Sequence, residues 1–288
     1  MTLPRPTMAG LPSTAMDGPR PSAHSRPVVR GIRHVGLSVT DLDRSLAFYR
    51  AATSLDLGSR GRDDRGEYAT LRGPNGTLEL VEYTGARESS EVMPVQGPGV
   101  THVCYRSPTA RDMYGSFVAA GATPVSRGTE PVDLGGYGVH YAYARDPDGI
   151  MFEVEHFDEP HFEGDLSIAH VALASPDLDR LVDFYTDLLG IEPYRRSENI
   201  EGPRFDDVAG IDGVRIRAAW FEVGNMALEM WQYLHPAPVP LAEPPPAARI
   251  GYGTITFAVD GPGDTTVRDP DGNLIRLAGS DHTLELDV

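Results

Sequence analysis

Three histidines recur at a fixed interval, which is the mark of a repeated chemical role. His34, His102 and His170 stand 68 residues apart each time. Each sits in a short, apolar, strand-like phrase: GIRHVGLSV at 31–39, GVTHVCYRS at 99–107 and SIAHVALAS at 167–175. A fourth copy, GYGTITFAV at 251–259, follows after a longer interval and carries Thr254 where the others carry histidine. Self-similarity at a fixed period is read as internal repetition before any other feature. A carboxylate recurs too, in a later strand-like stretch of each unit: Glu79 in TLELVEY, Glu153 in IMFEVEHF and Glu229 in ALEMWQY. In unit four the equivalent position, four residues after the glycine of DPDG, is Arg276.

Two imidazoles and two carboxylates on strands of one sheet would suit a divalent metal of hard to intermediate character. A charged glutamate on the concave face of a sheet is costly unless it is paired or bound to a metal. A single strand histidine, by contrast, is more often a core or edge residue with its hydrogen bonds satisfied. Glu82 and Glu155 lie on the same stretches, so a glutamate there is not diagnostic by itself. Alternation puts Glu155 on the same face as Glu153, and either could serve as ligand. The repeat selects Glu153, because it falls where Arg276 falls.

The elements that must position these residues are legible. Each of the first three units opens with a run rich in Val, Ile and Leu whose alternation fits a strand. In unit one Thr40 and Asp41 offer an N-cap for LDRSLAFYRAA, with Leu42, Leu46 and Tyr49 at helical spacing. Unit three repeats the pattern from Asp177 as DLDRLVDFYTDLLG, and unit two has the looser PTARDMYGSFVAAG from Pro108, with Gly121 as its stop. Three strand-like stretches follow each helix, giving a βαβββ order. Unit four keeps its first strand and a closing DPDGNLIRL at 269–277, with too few residues between them for a helix. The DPDG turns, at 146–149 and 269–272, are strong turn chemistry ahead of a closing strand. A proline-rich tract from His235 reads as an extended linker.

Composition excludes several function classes. The formal charge of −17 argues against nucleic acid or an anionic membrane surface as partner. All 25 basic residues are arginine, which removes Schiff-base chemistry, pyridoxal anchoring and the phosphate-loop lysine. Cys104 is the single cysteine, so no internal disulfide forms. No apolar run approaches the roughly 20 residues of a membrane span. The stretch 1–29 is rich in Pro, Ser, Ala and Gly, lacks an apolar signal core and reads as a disordered leader, with Met8 and Met16 as later starts. The expected location is cytoplasmic.

The strand-HV-strand phrase, the D-L-x-R-x-x-x-F-Y helix and the DPDG-x-x-x-E closing strand together resemble the vicinal oxygen chelate superfamily. It includes glyoxalase I, epimerases, drug-resistance proteins and extradiol dioxygenases. The resemblance covers roughly residues 30–280. It implies an α+β fold of four βαβββ-type modules paired into two cupped mixed sheets, the fourth module truncated. It further implies one divalent metal (Fe, Ni, Zn, Mn or Co), a small-molecule substrate and a possible homodimer. Pairing neighbouring modules predicts a metal-bearing domain at 30–160, with ligands His34, Glu79, His102 and Glu153. The domain at 161–288 is then degenerate, because Thr254 and Arg276 accompany His170 and Glu229.

Ligand count bears on the reaction. Two histidines and two glutamates leave two open positions on an octahedral ion, enough for neighbouring oxygens of one substrate. That arrangement suits a lyase or isomerase of the glyoxalase type, with Glu79 or Glu153 moving a proton at a stabilised enediolate. An extradiol dioxygenase needs three open positions and a two-His-one-carboxylate triad. YARDPDGIMFE at 143–153 resembles part of the extradiol signature, with Tyr143 and Glu153 correctly spaced. His140 stands too close to Tyr143 for that signature. A drug-sequestering binding protein is a third reading, but that type lacks the ligand set.

Overall fold

The structure is a computed structural model, and it describes residues 28–84, 93–108, 113–159, 162–164, 166–238, 241, 243–261 and 263–279. The leader expected at 1–29 lies outside these but for its last two residues. Unit one runs β1 (Val29–Ser38), α1 (Leu42–Ala52), β2 (Asp56–Arg62), β3 (Gly66–Arg72) and β4 (Thr77–Tyr83). Unit two runs β5 (Gly99–Ser107), α2 (Met113–Ala119), the short β6 (Thr123–Pro124) and β7 (Val132–Asp133), then β8 (Val139–Arg145) and β9 (Met151–Phe157). Unit three runs β10 (Ser167–Ala174), α3 (Leu178–Leu189), β11 (Arg195–Glu201), α4 (Pro203–Ala209), β12 (Arg215–Val223) and β13 (Met226–His235). Unit four is β14 (Gly251–Val259), β15 (Asp264–Arg268) and β16 (Leu274–Gly279), and the truncation leaves no helix among its described residues.

The caps expected from sequence are in place. Asp41 and Asp177 accept the backbone N–H of Arg44 and Arg180, which satisfies one orphan donor at each helix start. Gly190 closes α3 in the left-handed conformation at φ 71°, where a side chain would be strained. The buried faces of α1 and α3 follow the apolar spacing, with Leu42, Leu46 and Tyr49 matched by Leu178, Val182 and Tyr185. No helix among the described residues is long and apolar enough to cross a membrane.

The fold is α+β with two mixed sheets. One has the order β15-β16-β14-β1-β4-β3-β2; the other runs β11-β12-β13-β10-β5-β9-β8-β6, with β7 on β8. Each unit's first strand lies parallel to its last, and the units join through antiparallel pairs of first strands, β1 with β14 and β5 with β10. Unit one therefore shares a sheet with unit four, and unit two with unit three. Units one and two, expected to pair into one cup, lie in different sheets, and so do units three and four.

Units one and two, and likewise units three and four, are joined in another way, through helices and turns. Tyr49 donates its hydroxyl to Asp146 at 3.0 Å, and Arg44 pairs with Asp148 at 2.5 Å. Tyr185 and Arg180 make the same contacts to Asp269 and Asp271 at 3.2 and 2.6 Å. The helix motif of one unit thus docks on the DPDG turn of the next. Phe48, Phe117 and Phe152 fill the space between units one and two, the last two rings 4.3 Å apart. Since α1 already commits unit one to unit two on its helical side, the free edges of β1 and β5 are left for strands from the other half of the chain.

Candidate metal centre

The second sheet places four ligand-type side chains on four adjacent strands, β13, β10, β5 and β9. In register, Ala172 stands opposite His102 and beside Glu229, and Cys104 stands opposite His170 and beside Glu153. The staggering brings the four side chains to one point on one face. His102 Nε2 and His170 Nε2 are 3.2 Å apart. Glu229 Oε2 lies 3.3 Å from His170 Nε2. Glu153 Oε2 lies 2.8 Å from His170 Nε2 and 3.5 Å from His102 Nε2. All four residues are buried, with His102 at 2% exposure and Glu229 the most open at 8%.

The chemistry of this donor set fits a cation. Glu153 Oε2 is buried and faces only the two imidazole nitrogens, so its charge must be met there by a cation or by a protonated imidazole. Thr101 supports the same conclusion. Its hydroxyl donates to Ala172 O at 3.3 Å and so receives the Nδ1–H of His102 at 3.1 Å, which leaves the Nε2 lone pair aimed into the cluster. Glu229 is held by two indoles: Trp220 donates Nε1–H to it, and Trp231 does so at 2.9 Å. Burial works against the charged form of His170, but the Glu229 and Glu153 carboxylates outweigh it and raise its pKa to about 9. Burial would likewise raise Glu153, and the two imidazoles override that and hold it below the usual carboxylate range. His102, His170 and Glu229 present one donor atom each within 4.8 Å of one another.

A cavity of about 480 Å³ opens in front of this cluster. Tyr143 lines it and packs on His102 with ring centroids 5.0 Å apart. Glu155 also faces it, tied to Arg106 at 3.1 Å, and with Cys104 and His170 forms a second buried group whose donor atoms lie within 4.8 Å of one another. Glu153, the glutamate selected by the repeat, is the one of the two that faces both His102 and His170.

Of the four ligands expected together, His102 and Glu153 are at this point, whereas His34 and Glu79 are in the other sheet. There His34 Nε2 meets Thr256 Oγ1 at 2.9 Å and stands 3.8 Å from Glu79. Thr254 lies opposite Gly36, the register position equivalent to that of His102, and Arg276 stands beside Thr256 and pairs with Asp264. Arg65 forks the Glu79 carboxylate with bonds of 3.0 and 2.7 Å. Its guanidinium supplies internally the positive charge that a metal would bring. The four residues expected together within the first half are thus not brought together: each cluster takes one His/Glu or Thr/Arg pair from each half of the chain. The physical reason is that strand partnership follows sheet edges and not chain order.

His140 is likewise not brought to the cluster. It pairs with Asp158 at 3.0 Å and stacks on His156, at the far end of the β8–β9 hairpin. Thr101, Trp220, Trp231 and Arg65 carry supporting roles that the sequence did not flag, because none recurs at the repeat interval.

Comparison with known proteins agrees with the fold. The sequence model of the Glyoxalase/Bleomycin resistance protein/Dioxygenase superfamily matches residues 31–154 and 167–227. A lactoylglutathione lyase of Arabidopsis thaliana is 30% identical over 191 residues, which cover 64% of this chain. The match spans 62% of that relative, less than two thirds of its length. Glyoxalase I from Zea mays superposes with a TM-score of 0.61 at 20% identity, over 86% of this chain and 92% of that one. A putative dioxygenase from Bacillus subtilis superposes at 0.56 and 14% identity, over 88% and 86%. Repeat, sheet architecture and profile coincide, and the chain belongs to the glyoxalase/bleomycin resistance protein/dioxygenase superfamily.

Proposed function

We propose that this protein is a metal-dependent lyase or isomerase acting on a small substrate with two neighbouring oxygens. His102, Glu153, His170 and Glu229 would hold one divalent ion. The observation that carries this reading is the convergence of two imidazole Nε2 atoms and two carboxylates at one buried point. A bound ion of this kind supplies Lewis-acid polarisation of a substrate's oxygens.

The chain's own residues do the rest. Thr101 fixes the tautomer of His102, and the two indoles fix the orientation of Glu229. A carboxylate at the cluster, Glu153 or Glu229, would take a proton from a substrate carbon and return it. Similarity to a lactoylglutathione lyase supports the lyase class, although the match covers only part of either chain.

The triad His102, His170 and Glu229 would by itself serve a ring-cleaving dioxygenase. Glu153 as a fourth donor leaves too few positions for a chelating substrate and oxygen together, which favours proton transfer. The test is metal analysis followed by turnover of α-hydroxy ketones in D2O, with and without air. One metal per chain and deuterium incorporation independent of oxygen are expected. Oxygen consumption with a catechol would move the assignment to oxygen chemistry.

A further inference from the structure

The cavity beside the four ligands has a wall chemistry that points to the kind of molecule it takes. Eight of its lining side chains are aromatic. Tyr137 and Tyr194, both on the lining, are 88% and 61% exposed, the two most exposed large apolar side chains among the described residues. Exposed aromatic rings at a cavity mouth offer a face for a flat apolar partner. Deeper in, Trp220 and Trp231 lie edge to face with centroids 5.9 Å apart.

The charges on the lining are unequal in availability. Arg106 is neutralised by Glu155 at 3.1 Å. Arg195 lies over the Trp220 ring, 4.6 Å from its centroid, and is exposed. Among the described residues no carboxylate stands within ion-pair distance of it. Trp220 in turn donates its indole N–H to Glu229. One indole therefore separates an available guanidinium from the ligand cluster.

We infer that the substrate is a ring-bearing monoanion: its neighbouring oxygens at the His102–His170 cluster, its ring among the cavity aromatics, and its negative group, remote from those oxygens, on Arg195. The inference rests on the metal reading above and names the substrate class for it. A thiol-tripeptide adduct, with two carboxylates and an ammonium, finds only one available guanidinium among the described lining residues. Arg195 is thus a specificity residue, forming a charge-assisted bond that an uncharged ring cannot use.

The test uses cobalt-loaded protein and three hydroxamates that chelate through the same pair of oxygens: acetohydroxamate, benzohydroxamate and para-carboxybenzohydroxamate. Both tryptophans of the chain are on the cavity wall, so quenching of intrinsic fluorescence reads occupancy directly. Cobalt absorption reads the metal independently. The ring is expected to tighten binding about tenfold, and the remote carboxylate about tenfold more, or roughly 1.4 kcal/mol per step. Arg195→Gln should abolish the second gain alone, and Arg195→Lys should keep part of it. Equal binding of the three probes with cobalt retained overturns this inference and leaves the metal reading standing. So does a carboxylate gain that survives Arg195→Gln, or displacement of para-carboxybenzohydroxamate by S-methylglutathione at lower concentration than by benzohydroxamate. Failure to retain cobalt overturns the metal reading, and this inference with it.

Discussion

His102 and His170 point their Nε2 atoms at each other across 3.2 Å, although they come from different halves of the chain. With Thr101 taking the Nδ1 proton of His102, its Nε2 lone pair faces His170 Nε2 directly. Two imidazole nitrogens this close repel unless a proton or a cation lies between them. The neighbouring carboxylates of Glu153 and Glu229 favour the positive charge.

Metal retention should follow this pair and not the repeat as a whole. His102→Ala and His170→Ala are each expected to weaken metal affinity by more than the roughly 10–100-fold that losing a supporting group costs. His34→Ala should leave it unchanged. Metal content after dialysis against a weak chelator checks this, and equal loss in all three variants would contradict the assignment.

The indole donors to Glu229 should matter to the metal without touching it. Trp220→Phe and Trp231→Phe keep the ring packing and remove one N–H each. Metal affinity should fall roughly 10–100-fold in either variant, with the fold unchanged by circular dichroism. Wild-type affinity in both would show that Glu229 needs no outer support.

Arg65 should matter to stability alone. Arg65→Met strands the Glu79 carboxylate, which is only 14% exposed, and should cost about 1–3 kcal/mol, below a fully buried pair because Arg65 itself is 32% exposed. Adding Glu79→Leu should recover most of that loss. Urea midpoints at constant slope measure it, while metal affinity at the His102–His170 site stays as in the wild type.

Asp146 gives a pH test. Burial lifts its pKa to about 6, against two backbone N–H bonds and the Tyr49 hydroxyl that favour the carboxylate. The unfolded chain releases this proton near pH 4 and the folded chain keeps it to about pH 6. This contribution to stability is therefore complete below about pH 4 and is lost as pH rises toward 6. Asp146→Asn can keep the backbone bonds through its amide oxygen. Unfolding free energies between pH 4 and 6 should lose about one proton's worth of slope in that variant, and an unaltered slope would contradict the assignment.

The sequence by itself determined the units and their fates. Alternation and capping act over a few residues, so the strand phrases, the Asp41 and Asp177 caps and the DPDG turns were all legible. So was the decay of unit four, because Thr254 and Arg276 stand where competent ligands stand in units two and three. Which units share a sheet was decided only by the tertiary structure. Each first strand carries the same pattern on its edge, and loop-closure entropy discriminates weakly. Bringing unit four to unit one instead of a neighbour adds only about 1 kcal/mol over the longer separation. The choice falls to packing. Tyr49 on Asp146 and Arg44 on Asp148 hold units one and two helix to turn, which leaves β1 to pair with β14 and β5 with β10. That pairing sets His170 and Glu229, and not His34 and Glu79, beside His102 and Glu153, because a cluster built from two units forms only where their strands meet.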